Sequence, residues 1–582
     1  MTTLRRVWVP LTLAMGGLVL LSPMLSDLST VGATDDWRWF HLHWEASRAA
    51  LMLHGELPGW NPYHCGGHVH WANPQTQFLS PAWWPTLGIG APAGLKLFTA
   101  LHLIAGLLAM AWLARDLGLT GAALCTACAV WALSGFFAWH IGGGHVAFQP
   151  FWYAPAALAA WRRSLMDARW MAAVAGILAL MALEGGVYPV PFTALLLLIH
   201  AIHRTVTAER GPRPLVGLAA SGLVAGLLAG VKIGPVVAFL EAHPRAVSME
   251  DRLGVPELLT MFVSRSQELR FGDHVFVRPE YASYVGVPIV VALALLAFTG
   301  GLRRHTVWWI GLAAFAALTL GDHGVWSPWA LLHSAPIFGG LRVPSRFAVM
   351  VTLHLAVLSG FAVAALQGWV RNRPGQGGPA RLARVLPVVF ALAVTFDLAS
   401  LGRLQFDRFD SPTPPAVPTS AATFRMTRTP WRQAWALPAR SEGTTTCYEP
   451  HRLPPGKVRA DRPHEAYPAG AARGRVRVAT WSPGRVEVRG ELETAGLVVL
   501  NQNDHAGWTV DGGVRASHRG LPASELPPGP FMTTFVYRIP GLALGAFASL
   551  LGLMLTWVLA RTTDDSWRAL GASLSTLLSR DR

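Results

Sequence analysis

Long apolar runs separated by short polar stretches dominate this chain of 582 residues. An apolar run of about 17 to 25 residues can cross the hydrocarbon core of a bilayer as a helix. The pattern predicts about twelve such spans, of which the fourth, fifth and sixth are short. They lie near residues 7–25, 91–113, 119–140, 147–161, 170–184, 187–202, 215–239, 285–301, 306–320, 346–369, 382–400 and 539–560. We therefore expect a mainly α-helical, polytopic transmembrane bundle.

The pattern changes between the last two predicted spans. This segment is rich in Pro, Arg and Thr, and then shows short alternating stretches at 475–481, 485–491, 496–501 and 531–538. Alternation bounded by Gly and Pro indicates antiparallel β-structure. The expected organisation has three parts: a transmembrane module at 1–400 with its first outer loop at 27–84, a β-rich domain at 401–537, and a last helix with a tail at 538–582.

Composition supports the membrane interpretation. Hydrophobic residues make up 52% of the chain and charged residues only 14%, whereas a soluble protein is about a quarter charged. The net charge is +15, and the Arg residues cluster in alternate loops between apolar runs, as the positive-inside rule predicts. We expect both termini in the cytoplasm, the loops near 27–84 and 241–284 and the β-rich domain outside, and no nucleic-acid partner.

Four cysteines are too few for a disulfide framework. Cys125 and Cys128 lie inside an apolar run, where small residues usually serve helix packing. We interpret this pair as structural rather than redox-active.

Two adjacent carboxylates, Asp35 and Asp36, follow the first predicted span and precede a helix expected to reach about Gly55. Adjacent carboxylates repel each other, and one of them can have a raised pKa and serve as a general base. The alternative is a helix cap, in which Thr34 or Asp35 satisfies the free amides of the first turn. The sequence leaves both interpretations open.

The same loop contains His64, Cys65, His68 and His70. Their spacing matches no standard zinc pattern, so we expect no metal site there. Further along, Arg342 and Arg346 open a predicted span from outside. Two cations at a helix start oppose the helix dipole, which favours a role in holding a phosphate or carboxylate; lipid headgroup contact is the alternative.

Several short motifs, in order, resemble the bacterial YfhO family of membrane proteins in the GT-C class of polyprenyl-phosphate-dependent glycosyltransferases. The resemblance covers nearly the whole chain. It rests on an Asp after the first span, Leu57-Pro58-Gly59-Trp60-Asn61-Pro62, Gly66-Gly67-His68, Ala72-Asn73-Pro74-Gln75, Gly144-His145, Tyr284-Val285-Gly286, Leu320-Gly321-Asp322, Leu341-Arg342-Val343-Pro344-Ser345-Arg346-Phe347, Gly507-Trp508 with Asp511-Gly512, and Tyr537-Arg538-Ile539-Pro540-Gly541.

The resemblance implies a GT-C-like fold in the bacterial cytoplasmic membrane with an outward-facing active site. A polyprenyl-phosphate-linked sugar would be the donor, a lipid or cell-envelope glycan the acceptor, and an Asp the general base of an inverting transfer. We favour Asp36 over Asp35 as that base, and Arg342 and Arg346 as ligands of the donor phosphate. The expected substrate-binding residues are Arg38, Trp60, Asn61, His68, Asn73, Gln75, His145 and Glu184. A divalent metal is left open, because members of the class differ in that respect.

Two other functions fit the pattern. A transporter or flippase of lipid-linked saccharides should place polar groups near the bilayer midplane on broken helices, whereas the polar residues here cluster at the outer rim. A non-catalytic scaffold would bind envelope glycan through the β-rich domain, where Trp508 either stacks on sugar or fills the domain core.

Overall fold

The computed structural model describes residues 2–207, 211–244, 247, 251–267, 278–371, 378–406, 424–460, 462 and 465–562. Parts of two expected outward segments, 268–277 and 407–423, and the expected tail from residue 563 onward lie outside the described residues.

Helices form most of the described chain, and they start where the apolar runs start. They are α1 Thr2–Leu25, α2 Asp35–Leu53, α3 Thr86–Asp116, α4 Ala122–Ala132, α5 Gly135–Gly143, α6 Ala154–Ser164, α7 Trp170–Leu183, α8 Pro189–Thr207, α9 Arg213–Leu228, α10 Gly230–Ala242, α11 Val255–Val263, α12 Val287–Leu296, α13 Leu302–Arg304, α14 Thr306–Thr319, α15 Pro328–His333, α16 Ala348–Arg371, α17 Gly378–Arg403 and α18 Leu542–Arg561. Short 3₁₀ turns at Val146–Tyr153, Arg278–Tyr281 and Pro344–Phe347 connect several of them.

The number of spans is smaller than expected. Within the described residues, eight helices are long and apolar enough to cross a membrane, or nine if the pair α9–α10, which is bent by 80°, forms one span. The spans predicted near 170–184 and 306–320 are helices of only 14 residues, about 21 Å long at 1.5 Å per residue. The span predicted near 147–161 is divided between a 3₁₀ turn and α6. The expected fold class, a polytopic helical bundle with a β-rich region before the last span, is confirmed.

Two four-stranded antiparallel sheets form most of the β-rich region, in the orders β10-β11-β8-β5 and β6-β7-β12-β9. Each of the four alternating stretches in the sequence overlaps one of these strands. The strands are β1 Trp60–Asn61, β2 His68–Val69, β3 Arg425–Thr427, β4 Glu442–Thr444, β5 Ala466–Ala469, β6 Arg473–Ser482, β7 Arg485–Thr494, β8 Gly496–Leu500, β9 Trp508–Asp511, β10 Val514–His518, β11 Leu521–Leu526 and β12 Gly529–Tyr537. Strands β1 and β2 form a small hairpin, and β3 pairs with β4 in parallel.

The first outer loop packs into the β-rich region instead of lying apart from it. Trp60 is buried between Trp508 and Tyr537, with ring centroids 5.3 and 4.9 Å away. Of the two interpretations of Trp508, core packing is therefore correct. A disulfide between Cys65 and Cys447 joins the loop to the same region across 382 positions. The sequence argument against a disulfide framework did not foresee this single bond.

Candidate functional site

Asp36 lies in the first turn of α2, on a helix that begins at Asp35. The N-cap residue is Thr34, but its hydroxyl donates to the Gly143 carbonyl at 2.8 Å and makes no cap bond. Neither aspartate side chain caps the helix, since both are engaged by other side chains, described below. No side chain of Thr34 or Asp35 therefore caps the first turn of α2, and the helix-cap interpretation is wrong.

Two side chains that are far apart in the sequence contact the Asp36 carboxylate. Tyr448 donates its hydroxyl hydrogen to Oδ1 at 2.7 Å, and His145 Nε2 lies 3.1 Å from Oδ2. Burial opposes ionisation of Asp36, but the hydrogen bonds from His145 and Tyr448 and the charge of His145 outweigh it. The pKa of Asp36 is therefore lowered, and the raised pKa that two adjacent carboxylates suggest is wrong for this residue. The carboxylate stays 27% exposed, so an outside molecule can still reach it.

His145 is held by a neighbouring histidine. Its Nδ1 lies 2.6 Å from His140 Nδ1, so a neutral His145 that carries its proton on Nε2, towards Asp36, accepts at Nδ1 a hydrogen bond from His140 Nδ1. Gly144, between them, adopts a φ of +98°. A side chain at Gly144 would meet the Trp37 amide nitrogen at 2.5 Å and Asp36 Cβ at 2.8 Å. Glycine at this position therefore permits the close approach of α2 to the His145 turn.

A buried ion pair lies behind His145. Arg346 donates two hydrogen bonds to Glu280, one of them at 2.8 Å, and both side chains are more than nine-tenths buried. Burial alone would raise the pKa of Glu280, but the charge and hydrogen bonds of Arg346 lower this pKa to about 2. The guanidinium also lies over the rings of Tyr188 and Phe148, so Arg346 is fixed in one orientation.

Arg342 lies at the entrance to this cluster. Its side chain is exposed, while its backbone carbonyl and amide are each 3.2 Å from the Tyr188 hydroxyl. Its charge also acts on Tyr448. Val343, between the two arginines, adopts a φ of +65°, which is unfavourable for a β-branched residue. This turn directs Arg342 outward and Arg346 inward.

Asp35 has a different environment from Asp36. Its carboxylate is paired with the exposed Arg432 at 3.2 Å, and 35% of the Asp35 side chain is accessible. Such a pair at the surface contributes little to stability. The geometry therefore distinguishes two carboxylates that the sequence could not.

The predicted loop residues are enclosed within the protein. Trp60 donates to Gln502 at 2.5 Å, Asn61 accepts the Tyr63 amide, and His68 Nε2 lies 2.7 Å from the His451 carbonyl. The Trp60 and His68 contacts join the outer loop to the β-rich region, the Asn61 contact lies within the loop, and all three are typical of structural roles.

Other predicted residues also lie outside the Asp36 cluster. Asn73 donates to Glu449 at 3.2 Å, and the partly exposed Gln75 packs its backbone against Gly185. Glu184 is completely buried and bonds Ser80 at 2.8 Å and His102 at 2.9 Å. Arg38, partly buried on α2, makes no side-chain hydrogen bond at Nε within the described chain. The structure thus brings together Asp36, His145, Arg342 and Arg346 from the predicted set.

Among the residues that the structure describes, two groups of side chains have the geometry to hold a metal ion. One is His140, His145 and Glu280, and the other is His43, His64 and Glu449. In the first group both Glu280 oxygens already accept from Arg346, so an ion would have to compete for them. The sequence also groups His64, Cys65, His68 and His70 in the first outer loop. Of these, Cys65 is in a disulfide and His68 contacts backbone carbonyls, so those two are not ligands.

Sequence reasoning missed Tyr448 and Glu280 in this site. Tyr448 follows Cys447, and a pairing of the two cysteines outside the apolar run would have placed it beside the first outer loop. Glu280 lies just before a predicted span, but nothing in the sequence pairs it with Arg346. Glu280 and Arg346 are 66 positions apart in the sequence, and only the fold brings them into contact.

No protein-family model matches the chain, and no curated protein does either. Among solved structures, the chain is similar to the mycobacterial arabinofuranosyltransferase AftD, with 17% identity over 69% of this chain and 27% of AftD and a TM-score of 0.41. It is also similar to the oligosaccharyltransferase AglB of the archaeon Archaeoglobus fulgidus, solved with an inhibitory peptide and a dolichol-phosphate. There the identity is 12% over 76% of this chain and 64% of AglB, and the TM-score is 0.42.

The chain spans about a quarter of the length of AftD and less than two thirds of AglB. At these identities and TM-scores, the likeness does not decide activity or substrate. The function is therefore argued from the residues of this chain.

Proposed function

We propose that this multi-pass membrane protein is a glycosyltransferase that uses a lipid-linked sugar phosphate at the outer face of the bacterial cytoplasmic membrane. The observation that carries the proposal is the proximity of an accessible carboxylate, Asp36, to Arg342 and Arg346 where α16 begins. Transfer from a sugar phosphate requires a base that accepts a proton and a cation that stabilises the departing phosphate.

In the proposed reaction, Asp36 accepts the proton of an acceptor hydroxyl as its oxygen attacks the anomeric carbon. The bond between that carbon and the phosphate oxygen breaks on the opposite face, so the configuration inverts. The products are the glycoside and the lipid phosphate, and the proton remains on Asp36. The lowered pKa of Asp36 keeps it ionised at neutral pH, ready to accept that proton.

The two arginines have different roles in this proposal. Arg342 is exposed and can meet the phosphate directly, in a charge-assisted contact. Arg346 is already bonded to Glu280, whose negative charge offsets its own, so its role is to hold the turn that carries Arg342. The disulfide between Cys65 and Cys447 supports an outward orientation, because disulfides persist on the oxidising side of a bacterial membrane.

A matched pair of variants tests the proposal. In cells lacking the native protein, Asp36→Asn should abolish addition of the sugar to the envelope acceptor, with a loss of about 10²-fold or more, since general bases contribute 10²- to 10⁴-fold. Asp35→Asn should retain most of the activity, because Asp35 is paired with Arg432 at the surface. The measurement is the glycan and glycolipid profile by mass spectrometry at matched protein levels. Full activity of Asp36→Asn would exclude this mechanism.

One observation favours transport of lipid-linked saccharides as a second candidate. The bend of 80° between α9 and α10 resembles the broken helices that line transporter sites, and Lys232 lies just after it. However, the Lys232 ammonium donates to the Asn73 carbonyl and the Thr76 hydroxyl, which fixes the outer loop. Flipping of a lipid-linked sugar by reconstituted protein, without transfer to any acceptor, would select this alternative.

A further inference from the structure

A second cluster of ionisable side chains lies two turns along α2 from Asp36. It consists of His43 on α2, His64 in the first outer loop, and Glu449, which directly follows Tyr448. His43 Nε2 is 2.9 Å from Glu449 Oε1, and His64 Nε2 is 3.3 Å from the same oxygen. We call residues 447–449 the cysteine strap, because Cys447 fixes them to Cys65.

The cluster is sealed from solvent. The Glu449 side chain is fully buried, and the side chains of His43 and His64 are 2% and 1% exposed. A buried carboxylate requires a positive partner or several hydrogen bonds. The nearby Lys232 ammonium donates to the carbonyls of Trp71 and Asn73 instead. Within the described residues, Glu449 therefore faces imidazoles and neutral donors.

The ring nitrogens of His64 are a second indication that this cluster binds a ligand. Both nitrogens are buried and form no hydrogen bond of good geometry in the described chain, although the Tyr448 backbone lies close enough to act on the imidazole. A polar side chain buried in this way normally has a partner. Its Nε2 points into the space between His43 and Glu449, where the three ligand atoms lie within 4.8 Å of one another.

The chemistry of these groups matches a divalent transition metal. Two imidazole nitrogens and one carboxylate oxygen form a common zinc ligand set, and ligand atoms around a tetrahedral zinc lie roughly 3.3 Å apart. Ligands of a metal are usually oriented by hydrogen bonds from a second layer of residues, and the Glu449 carboxylate has two such contacts. Trp39 Nε1 and Asn73 Nδ2 each donate to Glu449, both at 3.2 Å.

We propose that His43, His64 and Glu449 bind a divalent transition metal ion of the zinc class, with water as the fourth ligand. The ion is structural: it fixes the cysteine strap on α2 and so holds Tyr448 at Asp36. Since the three ligands come from α2, the outer loop and the strap, the ion joins all three next to the disulfide. This proposal does not depend on the glycosyltransferase activity.

Metal analysis of the purified, tag-free full chain tests the proposal. After chelation and reloading with Zn²⁺, the protein should contain about one ion per chain by mass spectrometry of the metal, as one such site predicts. Glu449→Gln and His64→Ala should each lose that ion. Co²⁺ in the same site should give the intense visible absorption of a tetrahedral complex, and both variants should lack it.

A matched control separates this site from the other histidine cluster. His145→Ala removes a possible ligand near Asp36 and should still bind one zinc with unchanged absorption of the cobalt form. Zn²⁺ should raise the unfolding temperature of the parent and of His145→Ala, but not that of Glu449→Gln. An intact disulfide and a monodisperse elution profile show that a variant has folded.

Two results would overturn the proposal. The first is a folded parent protein that takes up no zinc, cobalt, nickel or manganese under these conditions. The second is an ion that folded Glu449→Gln and His64→Ala retain, or that His145→Ala loses.

Discussion

The Tyr448 hydroxyl donates a hydrogen bond of 2.7 Å to the Asp36 carboxylate, although 412 positions separate the two residues. Asp36 begins the helix after the first span, and Tyr448 belongs to the strap that precedes the two β-sheets. The bond therefore couples the membrane bundle to the β-rich region at the candidate base. Any change that moves the strap should alter the ionisation of Asp36.

Replacing Tyr448 with Phe removes this donor and keeps the ring that stacks on Trp431. Because the bond favours the charged form of Asp36, its loss should raise the pKa of Asp36. A general base must be ionised, so the acidic limb of the pH–activity profile should shift to higher pH, with a loss of less than about tenfold near neutrality. Tyr467→Phe, in strand β5, should leave the limb in place. If the acidic limb of the pH–activity profile is unchanged in Tyr448→Phe, Tyr448 does not control the ionisation of the catalytic base.

Breaking the buried pair of Glu280 and Arg346 should be costly. Glu280→Gln leaves a buried guanidinium without its anion, and removing one partner of such a pair typically costs about 3–5 kcal/mol. The double change Glu280→Gln with Arg346→Met should cost less than this single change, because it leaves no unpaired buried charge. Thermal unfolding of the purified proteins measures both. If the double variant is less stable than Glu280→Gln, the unpaired charge of Arg346 is not what destabilises the single variant.

The same pair predicts a dependence of stability on pH. The pKa of Glu280 falls from 4.5 in the unfolded chain to about 2 in the folded protein. Its contribution is therefore complete above about pH 4.5 and is lost as the pH falls towards 2. The stability difference between the parent and Glu280→Gln should be constant from pH 5 to 7 and should shrink below that window. A difference that grows on acidification would contradict the assignment.

Much of the fold could be predicted because it depends on local patterns. Apolar runs predicted the bundle, and alternation at 475–481 and 485–491 predicted strands β6 and β7. The short helices α7 and α14 were counted as spans, because hydropathy records apolar character and does not fix where a helix ends. Helix ends depend on turns such as Gly185, with a φ of +74°, and on packing against neighbours.

The candidate site was predictable only in part. Asp36, His145 and Arg346 each stood out as polar residues next to apolar runs. Their partners Tyr448 and Glu280 did not, because an ordinary Tyr or Glu in a loop has no sequence signature. Trp60 and Asn61 are expected from the resemblance to bind substrate, because the sequence does not show that the β-rich region covers the outer loop and encloses them.

Gly144 should be essential and its neighbour Gly143 should not. Alanine at Gly144 faces a positive φ, which costs about 1–2 kcal/mol, and its Cβ would meet the Trp37 amide at 2.5 Å. We expect Gly144→Ala to displace α2 from His145 and to lose most of the activity. At Gly143 a Cβ would come no closer than 3.3 Å, to Pro279, so Gly143→Ala should remain active. Glycan profiles at equal protein level measure both, and the reverse order would contradict the close packing.

Removing the disulfide should weaken the hold of the strap on the outer loop. The bond closes a loop of 382 positions, and loss of a disulfide that closes a long loop typically costs about 2–4 kcal/mol. Cys65→Ser with Cys447→Ser should therefore unfold at lower temperature. It should also lose activity, because Tyr448 is then held less firmly at Asp36. Cys125→Ser with Cys128→Ser is the matched control: both thiols are buried and free, so this variant should keep its activity and should show the same change in electrophoretic mobility on reduction as the parent. Parent protein that shows no mobility change on reduction would refute the bond itself.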